Sequence, residues 1–548
     1  MTSEPISLRR PEMIRSGAWK DNIITDFLDK AVDGQPNKTA IISYRVAEED
    51  SHRLSFLELD QHVTRMAAGL AGMGVNKGDV VSCQLPNGWQ MTALHLACIR
   101  IGAILNPLMH IFREHELRFM LRHAQSKVLV VPKMFRAFNH QAMAEGLRKD
   151  LPDLEHLLVI GGEGQQSFED QLINRAWETE TDTTTLFAER RINADDIIQI
   201  LFTSGTTGEP KGVMHTSNTL FSNIFPYAER LHLNSEDIVF MGSPMAHQTG
   251  FLYGLMMPIY LGATAVLQDL WQPDFARQII AREKPTYTMA STPFLNDLVE
   301  QAASHPQDLE SLRIFVAAGA PIPGALVEKA LNTTRFKVAS AWGMTENGAV
   351  TLTHPEDPPS RAIESDGVPL PFMEVKVVDL DGNSCPPNTE GNLLVRGASL
   401  FVGYHKRPEL YEVDADGWFG TGDLARIDEQ GYIRITGRTK DVVIRGGENI
   451  PIMEIENLLY KHPDINTVAL VGFPDKRLGE RVCAYITLNE GDKTMTLDDI
   501  KTYLAEQQVS KSYFPEHLVI SDALPRTPSG KLQKFKLRDQ AKTIRLDQ

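Results

Sequence analysis

The run Leu201-Phe-Thr-Ser-Gly-Thr-Thr-Gly-Glu-Pro-Lys-Gly-Val-Met214 constrains this chain more than any other stretch. An apolar strand over 197–202 empties into a loop of glycines, hydroxyl residues and one lysine. Gly205, Gly208 and Gly212 are expected to take positive φ and let the backbone approach a ligand closely. Thr203, Ser204, Thr206 and Thr207 add hydroxyl donors, and Lys211 adds a point charge. These are the parts needed to hold a polyphosphate. A Walker A loop requires Gly-Lys followed by Ser or Thr. Here Lys211 lies between Pro210 and Gly212, so a P-loop kinase or GTPase is excluded.

A chain of 548 residues, 42% of them hydrophobic, is too long for one compact core and implies two or three domains. The formal charge of −16, without a Lys/Arg stripe, argues against a nucleic-acid partner and against docking on anionic lipid. The first twenty residues hold no apolar segment of the secretory type. No window approaches the run of ~18 apolar residues that would span a membrane. Cys83, Cys98, Cys385 and Cys483 are scattered, which argues against a disulfide framework or a zinc site. A soluble cytoplasmic enzyme is expected.

Short apolar runs at 80–83, 128–131, 157–160, 197–202, 238–241, 263–267, 286–290 and 313–317 alternate with helical patterns. Such alternation predicts α/β architecture with mostly parallel sheets covered on both faces. Ser55 with Glu58 predicts a capping box, with Leu59, Val63, Met66 and Leu70 on one helix face. From about 373 the strands become closely spaced, with turns read at Asp381-Gly382, Gly391-Asn392, Asp416-Gly417 and Gly431-Tyr432, as in a small antiparallel β subdomain. A compact α+β unit follows, with a helix after Asn449-Ile-Pro451, strands at 468–471 and 482–488, and a helix at 497–507. The expected division is therefore 1–438, with the β subdomain at about 373–438, and 439–548.

Four further motifs follow the loop in order: Ala317-Ala-Gly-Ala-Pro321, Ala341-Trp-Gly-Met-Thr-Glu346 after a strand read at 337–341, Trp418-Phe-Gly-Thr-Gly-Asp423, and Gly437-Arg-Thr-Lys-Asp441 with Arg445-Gly-Gly-Glu-Asn449. Pro525-Arg-Thr-Pro-Ser-Gly-Lys531 closes the series. Together with the loop they resemble the adenylate-forming superfamily of acyl-CoA synthetases, aryl-CoA ligases, peptide-synthetase adenylation domains and beetle luciferase. The resemblance covers essentially the whole chain.

It implies that Gly319, Ala320 and Pro321 let a purine lie against backbone. Ala341, Trp342, Gly343, Met344 and Thr345 border adenine and phosphate, and Glu346 with Thr206 helps hold Mg²⁺, a hard ion that prefers oxygen ligands. Trp342 stands where many members have tyrosine. Asp423 and Arg438 contact the ribose; Gly420 replaces the family's usual basic residue in that motif. Lys440 is the hinge of a mobile lid, and Gly446 and Gly447 leave a channel for the pantetheine arm of CoA. Lys531 is the catalytic lysine of adenylation.

The implied reaction has two halves. A carboxylate attacks the α-phosphorus of ATP, giving acyl-AMP and pyrophosphate, and CoA then takes the acyl group. The segment 241–265 contains no Asp or Glu, so an α-amino acid substrate is not expected. Met241, Met245, Phe251 and Leu252 suit a fatty, alicyclic or aryl pocket, and His247 matches the family position beside the acyl carboxylate. A medium-chain or alicyclic acid is favoured. An aryl acid, delivery to a carrier protein, a luciferase-like oxidative outcome and a non-catalytic nucleotide sensor are the alternatives, and self-association into a homo-oligomer is left open.

Overall fold

The computed structural model describes every residue except 1–3, 204–209, 321, 440–441, 446–447, 451, 476–477, 490–493, 508, 528–529 and 545–548. The largest sheet has nine strands. From edge to edge they are Val368–Pro369, Gly348–Leu352, Lys337–Met344, Ile314–Ala317, Tyr287–Ala290, Ile238–Met241, Thr264–Gln268, Thr39–Arg45 and Asp50–Ser55. Its centre is parallel, and antiparallel pairs close both edges. A six-stranded sheet runs Lys211–Thr216, Ile197–Thr203, Ile104–Pro107, Val80–Cys83, Ser126–Pro132 and His156–Ile160. Ile314–Ala317 and Tyr287–Ala290 are buried at every position, the pattern of parallel strands covered on both faces.

One apolar cluster joins the two sheets. It runs from Val81 and Leu105 through Leu220 and Phe221 of helix Ser217–Arg230 to Val239 and Val316. The expected capping box is present: Glu58 N–H donates to Ser55 Oγ at 3.2 Å, and Ser55 N–H donates to Glu58 Oε2 at 2.8 Å. Helix Phe56–Gly72 then buries Leu59, Val63, Met66 and Leu70.

A four-stranded antiparallel sheet follows, made of Met373–Val378, Gly391–Gly397, Phe419–Ile427 and Ile433–Arg438. The last unit has a five-stranded sheet whose long hairpin, Ile465–Asp475 with Gly479–Leu488, is covered by helices Ile452–Leu459 and Leu497–Glu506.

Three local readings are corrected. Lys211 and Gly212 do not lie in a loop but open a strand, with Lys211 opposite Thr203 and Gly212 opposite Phe202. Gly212 is absent from the positive-φ glycines. Its bareness serves packing instead, because a Cβ there would stand 3.0 Å from Ile200 Cγ2 and 3.3 Å from His405 Cβ. The strand read as ending at Ala341 continues to Met344, since Trp342 to Met344 pair with Gly348–Leu352. That hairpin closes only over a glycine: a Cβ on Gly343 would lie 2.0 Å from the Gly348 carbonyl oxygen. Gly391-Asn392 is the start of a strand, not a turn, because its backbone is captured by Leu424, Ala425 and Val378.

His95 is fully buried, edge-on to the Phe251 ring at 4.8 Å, and neither ring nitrogen has a partner among the described residues. Burial pulls its pKa down to about 3, and does the same to His110, His140 and His215, each to about 4. The unfolded chain therefore binds more protons than the folded one between about pH 6.5 and pH 3–4. The stability contributed by the neutral rings is complete above that window and is lost as pH falls through it. The melting temperature is expected to fall steeply from pH 6.5 to pH 4. His95→Leu is expected to match the parent at pH 7 and to lose less on acidification. Calorimetric scans of both proteins across this range check it.

Candidate active site

The parallel register sets out the site. Ala290 lies opposite Ala317, and Ala317 opposite Ser340. One strand further, Phe240 lies opposite Thr288. The chain thus leaves four adjacent strands at the same edge, and the segments beginning at Gly242, Ser291, Ala318 and Ala341 emerge side by side. This carboxyl edge is where open α/β sheets bind ligands. Gly319 is exposed there with φ +80°, and a Cβ on it would meet nothing within 4 Å. Ala320 is half-buried beside it, and Ala341 and Trp342 are buried at the foot of the hairpin that carries Gly343, Met344 and Thr345.

Glu346 sits at the tip of that hairpin and is buried. Its Oε1 accepts the Tyr404 hydroxyl at 2.7 Å. Its carbonyl accepts Phe401 N–H at 2.7 Å. Burial raises the Glu346 pKa, opposed by the Tyr404 bond and by the charges of Lys211 and Arg438. Lys211 Nζ lies 4.8 Å from the Tyr404 ring centroid, a cation–π distance. Backbone bonds fix this geometry: His405 N–H donates to Gly212 O at 2.7 Å, and Met214 N–H to Gly403 O at 3.0 Å. His215 holds the neighbouring turn, with Nε2 2.8 Å from Thr345 O. Thr203 lies across the ladder from Lys211 and bonds its carbonyl at 3.5 Å.

Asp423 and Arg438 face one another on paired strands, and Arg438 Nε lies 3.0 Å from Asp423 Oδ1. Trp342 Nε1 donates to Asp423 Oδ2 at 2.9 Å. The third and fourth motifs are thereby joined to the second.

His247 is half-buried and lies after strand Ile238–Met241. Its Nδ1 accepts Thr249 N–H at 3.4 Å, which assigns the ring proton to Nε2. Burial lowers its pKa to about 4, and the Lys531 charge adds to the lowering. Lys531 stands 320 positions after Lys211. Its turn is closed by Thr527 N–H to Lys531 O at 2.7 Å and Lys531 N–H to Thr527 Oγ1 at 3.0 Å. Gly530 takes φ +81° and rests on Ser291 and Pro293. The fold therefore brings Lys211, Glu346, Asp423, Arg438, His247 and Lys531 to one edge of the large sheet.

Met241, Met245, Phe251 and Leu252 are fully buried in the central cluster, so the half-buried side chains of this segment are Pro244, His247 and Thr249. Ser204, Gly205, Thr206, Thr207, Gly208, Pro321, Lys440, Gly446 and Gly447 lie outside the described residues.

Two residues had no motif to mark them. Tyr404 joins Lys211 to Glu346. Asn87 donates from Nδ2 to Ser243 O at 2.9 Å and Gln268 O at 3.1 Å, and its Oδ1 accepts Met245 N–H at 2.7 Å. It thereby pins the segment that leads to His247.

Residues 28–405 match the family model described as AMP-binding enzyme, and residues 454–531 match the AMP-binding enzyme C-terminal domain. The chain belongs to the AMP-binding enzyme family. It is an AMP-forming acyl-CoA synthetase of the adenylate-forming superfamily. It is 35% identical to the medium-chain fatty-acid–CoA ligase of Escherichia coli K12 over 534 residues, covering 97% of this chain and 92% of that one. It is 32% identical to the human mitochondrial medium-chain acyl-CoA ligase ACSF2, covering 92% and 85%. Among solved structures, the anthranilate CoA ligase AuaEII in complex with anthranoyl-AMP superimposes with a TM-score of 0.85 at 26% identity, covering 96% and 98%. The family uses ATP. No described helix of the synthetase is long and apolar enough to cross a membrane.

Removing the Tyr404 hydroxyl deprives a buried carboxylate of its side-chain hydrogen-bond donor. Tyr404→Phe is expected to lower unfolding free energy by about 1–3 kcal/mol. Urea titration at pH 7 measures it, and an unchanged midpoint would contradict the role of this bond.

Proposed function

We propose that this synthetase activates a medium-chain or alicyclic carboxylic acid as acyl-AMP and passes the acyl group to CoA. The observation that carries the reading is the placement of Lys531 within electrostatic reach of His247, on the edge that also holds Lys211 and Glu346. Neither half-reaction requires a protein nucleophile. The protein aligns the partners and stabilises charge, each effect able to supply several kcal/mol.

In this reading the hairpin backbone from Ala341 to Thr345, with Gly319 and Ala320, receives the adenine and α-phosphate. The Asp423 carboxylate, held by Trp342 and Arg438, accepts from the ribose hydroxyls. Lys211 neutralises the departing pyrophosphate. Neutral His247 offers Nε2–H to one oxygen of the acid, leaving the other to attack the α-phosphorus. Lys531 meets the negative charge that builds there as the bond to pyrophosphate breaks. Among the described residues no group of three or more potential metal-ligating side chains occurs. One buried carboxylate suits Mg²⁺, which is commonly held by one or two carboxylates, phosphates and water. Glu346, with the hydroxyl of Thr206, would hold it, and bound there it would supply charge neutralisation at the phosphates.

For the thiol step Lys531 must leave so that CoA can enter past Gly446 and Gly447. The unit from 439 onward acts as a lid turning about Lys440. The medium-chain relatives and the apolar segment 241–265, free of acidic residues, support a fatty or alicyclic acid. The fold shared with an anthranilate CoA ligase favours the aryl reading as the alternative.

AMP formation should be measured with Mg-ATP and CoA across C2–C16 fatty acids, cyclohexanecarboxylate and benzoates. A CoA-dependent maximum among medium-chain or alicyclic acids is expected. AMP release without CoA dependence would point to a carrier-protein acceptor instead. Lys531→Ala is expected to abolish acyl-AMP formation while sparing CoA-ester formation from preformed acyl-AMP. Equal loss of both steps would refute the role given to Lys531.

A further inference from the structure

The turn that carries Lys531 rests on a receptor formed by residues outside every motif of the chain. Helix Thr292–Ser304 begins where strand Tyr287–Ala290 ends. Gly530 is seated on its first turn. A Cβ at Gly530 would stand 2.7 Å from Ser291 Oγ and 3.0 Å from Pro293 Cγ, so a bare α-carbon, here at φ +81°, lets the turn approach this closely.

One helical turn after Pro293, on the same face, comes Asp297. Its Oδ2 accepts Trp271 Nε1 at 2.7 Å. Burial raises the Asp297 pKa, and Arg526 at the other end of the lysine turn opposes that rise. Arg526 is braced within its own unit, donating from Nη1 to Gly530 O at 2.8 Å and from Nη2 to Thr467 Oγ1 at 3.2 Å. Trp271 extends the contact towards the acid segment. Its indole packs on Phe294 at 4.4 Å and covers Gly242, where a Cβ would lie 2.6 Å from the ring. Gly242 opens the segment that ends in His247.

We propose that Ser291, Asp297 and Trp271 form the receptor that docks the Arg526–Lys531 turn and sets Lys531 over the His247 segment. The assignment rests on the acyl-adenylating reading above. Asp297 is a positioning residue: it acts on the reaction only through the turn it attracts. Its influence is confined to the step that uses the docked turn, because the thiol step requires that turn to leave.

The test uses full-length protein and Asp297→Asn, which keeps an oxygen for Trp271 and removes the charge. The readouts are acyl-AMP formation from octanoate and Mg-ATP, CoA-ester formation from preformed octanoyl-AMP, and hydrogen exchange of the segment 526–531 without ligands. Acyl-AMP formation is expected to fall about tenfold, as a modest misplacement of a catalytic group costs. CoA-ester formation from octanoyl-AMP should stay unchanged, and exchange at 526–531 should rise. Asp297→Glu should recover part of the first step. Arg526→Gln combined with Asp297→Asn should be no slower than Arg526→Gln alone, because interacting residues are non-additive. Equal loss of both half-reactions, unchanged exchange, or additive effects in the double variant would overturn the proposal. The exchange arm is independent of the acid: raised exchange in a protein that activates no acid would uphold the docking and reject the functional reading.

Discussion

Everything at this site depends on the in-register parallel pairing of four strands in the nine-stranded sheet. Parallel neighbours in register end together, so the residues after Met241, Ala290, Ala317 and Ser340 enter one edge from four distant parts of the chain. Continuous burial of these strands on both faces makes the register costly to slip. The edge can therefore hold an exposed glycine such as Gly319 beside buried charged side chains.

Charge placement at that edge follows a common pattern. Glu346 and Asp423 are both buried carboxylates, and each is held by an aromatic donor and a nearby cation. Unpaired, either would be expensive in a low-dielectric site. Paired, each becomes a fixed acceptor whose orientation is set before any substrate arrives. His247 is the complementary case, a neutral imidazole kept so by burial and by Lys531. The carboxylates would accept from ribose hydroxyls or help hold an ion, and the imidazole would donate to an anion.

Much of this was legible in the chain. The alternation of apolar runs with helical patterns yielded the parallel sheets because a strand covered on both faces must be apolar throughout. The capping box at Ser55 and Glu58 needed only local geometry. Gly212 and the Trp342–Met344 segment were misread for one reason. Each lies in an antiparallel strand pair, and a glycine chosen for close packing looks in sequence like one chosen for positive φ. The four apolar residues Met241, Met245, Phe251 and Leu252 were legible as apolar, but their complete burial depends on neighbours such as Gly254, where a Cβ would stand 2.4 Å from Met241 Cγ.

Sequence alone determined the type of chemistry: glycines and hydroxyls around Lys211, a carboxylate at Glu346, and a lysine on a tight turn near the end of the chain carry their meaning in residue type and order. It could not assign Tyr404 to Lys211 and Glu346, or Asn87 to the backbone before His247. Those partners are single residues without local pattern, tens to hundreds of positions from what they touch. Their pairing arises only when sheet register and packing close the distance.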